Sequence, residues 1–132
     1  MSLKDIIAST IVATACATSL AAHAQTLTAL NPLVGYECMA LNLSQQQLMD
    51  PSTHVPIVKN PDATAPLVGY ASATVIASVS PPTNGFRRVL RLDGVPGWID
   101  TKYLKPWVNP GGNGQKCIPS AMSNGRDGFD FQ

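Results

Sequence analysis

Beyond residue 30 the hydrophobic residues fall into short runs, each closed off by proline, glycine, asparagine or aspartate. "VGYECMALNLS" predicts a mixed apolar strand, and "QQQLMDPSTH" after it a polar loop. "VPIVK" is a short extended piece, placed near a sheet edge by Pro56, which has no N–H to donate. The cluster "NPDATAP" predicts a turn, because proline fixes φ and aspartate bonds its own backbone two residues on. "LVGYAS" and the β-branched run "TVIASV" follow as strands, stopped by "SPPTNG". "FRRVLRL" and "VPGWI" then flank Asp93-Gly94, a dipeptide suited to a type I′ turn, and predict a tight antiparallel hairpin. Gly94 serves that turn, Gly97 allows close approach of a neighbouring strand, and Pro96 marks an edge or bulge. No long apolar pattern of helical period follows residue 24, so the chain reads as all-β.

About five or six short strands are too few for two large sheets but suffice for a small barrel that covers its own edges. Its core is expected from Val58, Leu67, Val75, Ile76, Val79, Phe86, Val89, Leu90, Trp98, Ile99 and Leu104, subject to parity on each strand. Past Trp107 the chain becomes rich in glycine and proline. Residues 108–132 therefore read as a tail with too little apolar content to fold alone and with mobile last residues.

The first 24 residues stand apart. Lys4 lies in a short polar head, an Ala-, Ser- and Thr-rich apolar stretch follows, and Ala22-His23-Ala24 ends it in a small-residue pattern. This predicts a secretory signal peptide of bacterial type, cut between Ala24 and Gln25, and an exported protein of the periplasm or exterior. The apolar stretch falls short of the roughly 20 residues of a membrane span, so no span is expected after cleavage. Residues 25–107 are then one small β domain.

Removal of the signal changes the cysteine count more than the charge. Lys4 and Asp5 cancel, so the net charge of +1 is kept, and nothing points to nucleic acid or acidic lipid as a partner. Arg87, Arg88 and Arg91 cannot all share one face of an alternating strand. Cys16 leaves, and Cys38 and Cys117 remain as the only pair in an oxidising compartment. A Cys38–Cys117 disulfide is expected, closing a loop of about 80 residues and contributing on the order of 4 kcal/mol. It would pin the tail to the start of the domain.

Residues 55–106 resemble the bacterial SH3 domains in the order and spacing of "VPIVKNPDATAPLVG", "TVIASV", "NGFRRV" and "DGVPGWIDTKYL". Gly94, Gly97 and Trp98 carry the strongest part. The resemblance implies an SH3-like barrel that binds cell-wall peptide, peptidoglycan or another protein, without chemistry of its own. Asp100 stands where the eukaryotic branch has the proline of its P-x-N-Y turn, and the A-L-Y-D-Y strand is absent, so recognition of proline-rich peptides is not implied.

Trp98, as a strand residue, is expected first to pack its ring on the barrel with its N–H at the rim. Tyr103, on the connector, and Trp107, just past it, are the stronger candidates for a ligand surface. Catalysis is not expected. His54 is the one histidine left after His23 departs, and no nucleophile elbow, paired-histidine metal motif or phosphate loop occurs. No cofactor or metal is expected either. The alternative function is a small periplasmic inhibitor or an accessory subunit of an envelope complex, because "YEC" at Tyr36 to Cys38 with a distant cysteine resembles the start of the bacterial C-type lysozyme inhibitors.

Overall fold

The computed structural model describes residues 26–132 and Thr14. The expected signal peptide, with Cys16 and His23, lies outside the described residues. In chain order the elements are β1 (Ala29–Pro32), β2 (Tyr36–Leu41), α1 (Gln45–Met49), β3 (Pro56–Val58), β4 (Leu67–Tyr70) and β5 (Thr74–Ser78). They continue with β6 (Phe86–Leu90), β7 (Pro96–Asp100), a 3-10 turn (Thr101–Tyr103), β8 (Leu104–Pro106), β9 (Cys117–Met122) and β10 (Asp127–Phe131). All strand pairings are antiparallel.

The strands form two sheets, a seven-stranded one in the order β4-β3-β7-β6-β5-β2-β8 and a three-stranded one in the order β1-β9-β10. The fold is all-β in its bulk, but the expected five or six strands in a closed barrel are not what forms. β4 and β8 are free ends of the larger sheet and do not pair with each other. Side chains from five of its strands, with Val55 just before β3, nevertheless meet in one cluster, Met39, Leu41, Val55, Ile57, Val75, Ala77, Val89 and Ile99, so the sheet curls round them.

Alternation decides which residues enter that core. On β7, Gly97 and Ile99 are buried while Trp98 and Asp100 stand half-buried on the other face. β5 breaks the rule, since Val75, Ile76, Ala77 and Ser78 are all buried. Val75 and Ala77 join the main cluster, whereas Ile76, opposite Cys38 on β2, lies on the face to which the second sheet is tied. Cys38 is bonded to Cys117 of β9 through the expected disulfide, with the Cα atoms 6.0 Å apart. Two residues expected in the core are exposed instead. Leu67, on the edge strand β4, and Val79, beyond the end of β5, are 52% and 56% exposed.

The tail also differs from expectation. Residues after Lys116 fold as the β9–β10 hairpin, with Ser120 and Met122 buried, and β1 adds to its other side. The apolar content is low, as the sequence indicates. The hairpin is held by long-range partners, the disulfide and the Leu33 N–H bond to the Pro119 carbonyl at 2.8 Å.

Two local structures were not foreseen in their observed form. The polar run after β2 forms one helical turn, α1, closed by a capping box in which Gln47 N–H donates to Ser44 Oγ at 3.1 Å and Ser44 N–H to Gln47 Oε1 at 2.9 Å. The β6–β7 hairpin is not a type I′ turn. Arg91 N–H donates to the Val95 carbonyl and Gly94 N–H to the Arg91 carbonyl, each at 2.9 Å, enclosing Leu92, Asp93 and Gly94. Of these three only Gly94 has positive φ, +83°, so the connection is a three-residue loop with the glycine in the left-handed region. The two-residue turn with positive φ at both positions lies instead at Asn84-Gly85, φ +50° and +76°, between Thr83 and Phe86.

Candidate functional site

The three aromatic candidates occupy separate settings. Tyr103 ends the 3-10 turn that Asp100 caps, its Oδ1 accepting from Lys102 N–H at 3.0 Å. The Tyr103 ring is half-buried against the main core, with the Lys102 ammonium 4.9 Å from its centre. Trp98 stands on the opposite face from Ile99, across from Val58 on β3 and Arg88 on β6. Trp107 follows β8 and lies 5.9 Å from the ring of Phe131. It lines a broad groove of about 540 Å³ beside the disulfide, together with Glu37, Asn109, Gln115 and Lys116. Glu37 there is already paired with Arg87 at 2.5 Å.

A second cavity, of about 190 Å³, has a more definite construction. β5 pairs with β6 only at Ile76 opposite Leu90 and Ala77 opposite Val89. Continued in register, Thr74 would face Leu92. Leu41 N–H donates to the Ala73 carbonyl and Val79 N–H to the Gly35 carbonyl, each at 3.0 Å, so the odd-numbered residues turn their polar backbone groups toward β2. Thr74, Ile76 and Ser78 turn theirs toward β6.

At one end of this short ladder the Ser78 carbonyl is satisfied by Arg87 Nε at 2.8 Å. At the other end the Leu92 carbonyl is taken by the N–H of Asp127 on β10, at 2.9 Å. Among the described residues, Thr74 therefore has no backbone partner on its β6 side, and the strands part around the cavity.

Its floor is aliphatic, from Ile57, Val75, Val89 and Leu90, and its rim is polar, from Tyr70, Ser72, Thr74, Asp93 and Arg126. The two arginines at the rim differ. Arg91 is committed, donating to the Val68 carbonyl at 2.7 Å and pairing with Asp93 at 3.1 Å. The Arg126 guanidinium has no ion pair among the described residues, so the cleft carries one available positive charge. Tyr70 is further ordered by His54, whose ring centre lies 4.7 Å away.

None of the sequence-derived aromatic candidates lines this cleft, and Asp93 is the one expected turn residue that does. Tyr70, Thr74, Leu92 and Arg126 were not singled out from the sequence. Their coming together depends on which register β5 and β6 abandon, and a single sequence does not encode that visibly.

The two carboxyls held below their usual value, Asp50 and Asp62, lie in turns away from the cleft. The hydroxyl and backbone N–H of Ser52 bond Asp50, with smaller help from the His54 charge, and the backbone N–H and hydroxyl of Thr64 bond Asp62. Among the described residues no three His, Cys, Asp or Glu side chains gather as a metal site. Comparison of the chain with protein-family models, with curated proteins and with solved structures finds no match.

Proposed function

We propose that this chain is an exported, non-catalytic binding module that holds a peptide of the cell wall, or of an envelope protein, between β5 and β6. The interrupted ladder at Thr74 carries this reading, because it leaves strand backbone unpaired beside a defined cavity with an aliphatic floor. The disulfide, and the fact that no helix among the described residues is long and apolar enough to cross a membrane, are compatible with export of a soluble protein. The SH3-like resemblance of residues 55–106 supports a binding role, with β3 to β8 as the SH3-like part. Trp107, lining the groove by the disulfide, is a further contact for a longer ligand.

The test is sedimentation of the mature, oxidised protein with purified peptidoglycan at two salt concentrations. Salt-resistant pelleting is the expected result; recovery wholly in the supernatant overturns binding to the wall and directs attention to protein partners.

One observation favours a second reading. The Cys38 of "YEC" is bonded to a distant C-terminal cysteine, as the resemblance to the lysozyme inhibitors implies. An inhibitor would leave the wall unbound and slow a lysozyme at stoichiometric amounts.

A further inference from the structure

Resting on the peptide-binding reading, we infer that the cleft between β5 and β6 receives the carboxyl end of an extended peptide, with Thr74 as its backbone partner and Arg126 as its carboxylate partner. An unpaired strand N–H and C=O lining a cleft select for extended peptide, because another main chain presents the complementary pair. A sugar or acyl chain offers no such repeat.

The shape selects an end rather than a passing chain. The ladder resumes at Ile76 opposite Leu90 and closes the cleft on one side, and the Leu92–Asp127 bond bridges it on another. Its volume of about 190 Å³ is below the roughly 300–1,000 Å³ of pockets for drug-sized ligands, so it fits a terminal residue or two. Leu90 and Leu92, the lining aliphatics that keep exposed surface, favour a small apolar side chain at that end.

Charge then fixes the terminal group. Arg91 and Asp93 cancel each other, and Arg126 remains to face a single negative charge. A planar guanidinium and a terminal carboxylate match as a bidentate pair. A free carboxylate is thus required, whereas a carboxamide at the same place would lose the charge.

The experiment is a titration of the oxidised, 15N-labelled mature protein with N-acetyl-L-Ala-L-Ala and N-acetyl-D-Ala-D-Ala, each also as its C-terminal amide. One of the two acids is expected to shift the Thr74 and Leu92 amide signals saturably. Its amide, and the exposed-site variant Arg126→Gln with the acid, are expected to bind about tenfold more weakly, the loss of a charge-assisted hydrogen bond. Preference for the L form identifies a protein C-terminus as the source, and preference for the D form a wall stem peptide.

Equal binding of acid and amide, or shifts that leave Thr74 and Leu92 unmoved, overturns the inference. Pelleting with peptidoglycan that survives both Arg126→Gln and an excess of either acid, with no saturable shift at Thr74, also overturns it, while leaving wall binding intact. Saturable acid binding at Thr74 without pelleting upholds it and removes only the wall as the source.

Discussion

The backbone N–H of Asp127 donates to the carbonyl of Leu92 at 2.9 Å, and this bond joins the tip of the β6–β7 hairpin to the second sheet. In the unbroken β5–β6 register, that carbonyl would have turned toward Thr74. The C-terminal hairpin is thus tied to the larger sheet at β2 by the disulfide and at Leu92 by this bond, which takes up the carbonyl that Thr74 would otherwise meet. A stretch that resembles a disposable tail in composition shapes the candidate site.

The first prediction concerns amide exchange along β5. Thr74 N–H lacks a partner across the gap, while Ile76 N–H lies in the ladder with Leu90. Thr74 is expected to exchange with an opening free energy of about zero, and Ile76 with several kcal/mol, alternate residues of one strand differing by orders of magnitude. Hydrogen exchange followed by NMR reads both. Equal protection at the two positions would mean that the ladder runs on and that no slot exists.

The second prediction concerns the disulfide. Cys38 and Cys117 are 79 residues apart, and reduction or replacement of both by alanine frees β9 from β2. The chain-entropy model gives a loss of about 4 kcal/mol. For a domain of this size that corresponds to a fall in Tm of about 15–30 °C. Thermal unfolding with and without reductant checks it, and an unchanged Tm would mean that sheet contacts alone hold the C-terminal hairpin.

That disulfide was legible because setting Cys16 aside with the expected signal peptide leaves one possible pair. All strands of the larger sheet except β8 were legible for a related reason: proline, glycine and aspartate separate runs such as "TVIASV" and "FRRVL" sharply. What escaped depends on distant partners. β9 and β10 contain Pro119, Ser120, Asp127 and Asp130, too polar a set to suggest strands until Cys38, Leu33 and Leu92 are seen to receive them. The turn type escaped for a local reason, since Asp-Gly suits both a two-residue loop and the end of a three-residue one, and the pairing of Arg91 with Val95 chooses the latter.

A third prediction separates two glycines within "DGVPG". Gly97 faces β3 so closely that a Cβ there would overlap Ile57 Cγ2 and meet the Val58 carbonyl at 3.2 Å. Gly97→Ala should cost about 1–3 kcal/mol through overpacking of the buried β3–β7 contact. Gly94 has open space, its nearest neighbour being Asp127 Oδ2 at 3.8 Å, and its φ of +83° sets the cost of replacement. Gly94→Ala should cost about 1–2 kcal/mol, and Gly94→Asn less, because asparagine tolerates the left-handed region. Denaturant unfolding of the three variants decides it. A Gly94→Asn loss as large as that of Gly94→Ala would argue against backbone conformation as the cause.

The last prediction is an acid dependence located in two turns. Asp50 Oδ1 accepts from Ser52 N–H at 2.9 Å and from Ser52 Oγ at 2.7 Å, and Asp62 Oδ1 accepts from Thr64 N–H at 2.9 Å and Thr64 Oγ1 at 3.0 Å. All four bonds favour the ionised form, and both carboxyls titrate below their usual 3.8. A folded-state value below the unfolded one means that the unfolded chain binds protons first as pH falls. The stability from these turns is therefore fully present above the unfolded value near 3.8 and is lost as pH drops through the lower folded values. Replacing both residues by asparagine should leave the acid limb of the stability curve shallower and the neutral plateau lower. Chemical denaturation at a series of pH values, with carboxyl resonances followed in parallel, reads both effects. An acid limb as steep in the double variant as in the parent would place the responsible carboxylates elsewhere in the fold.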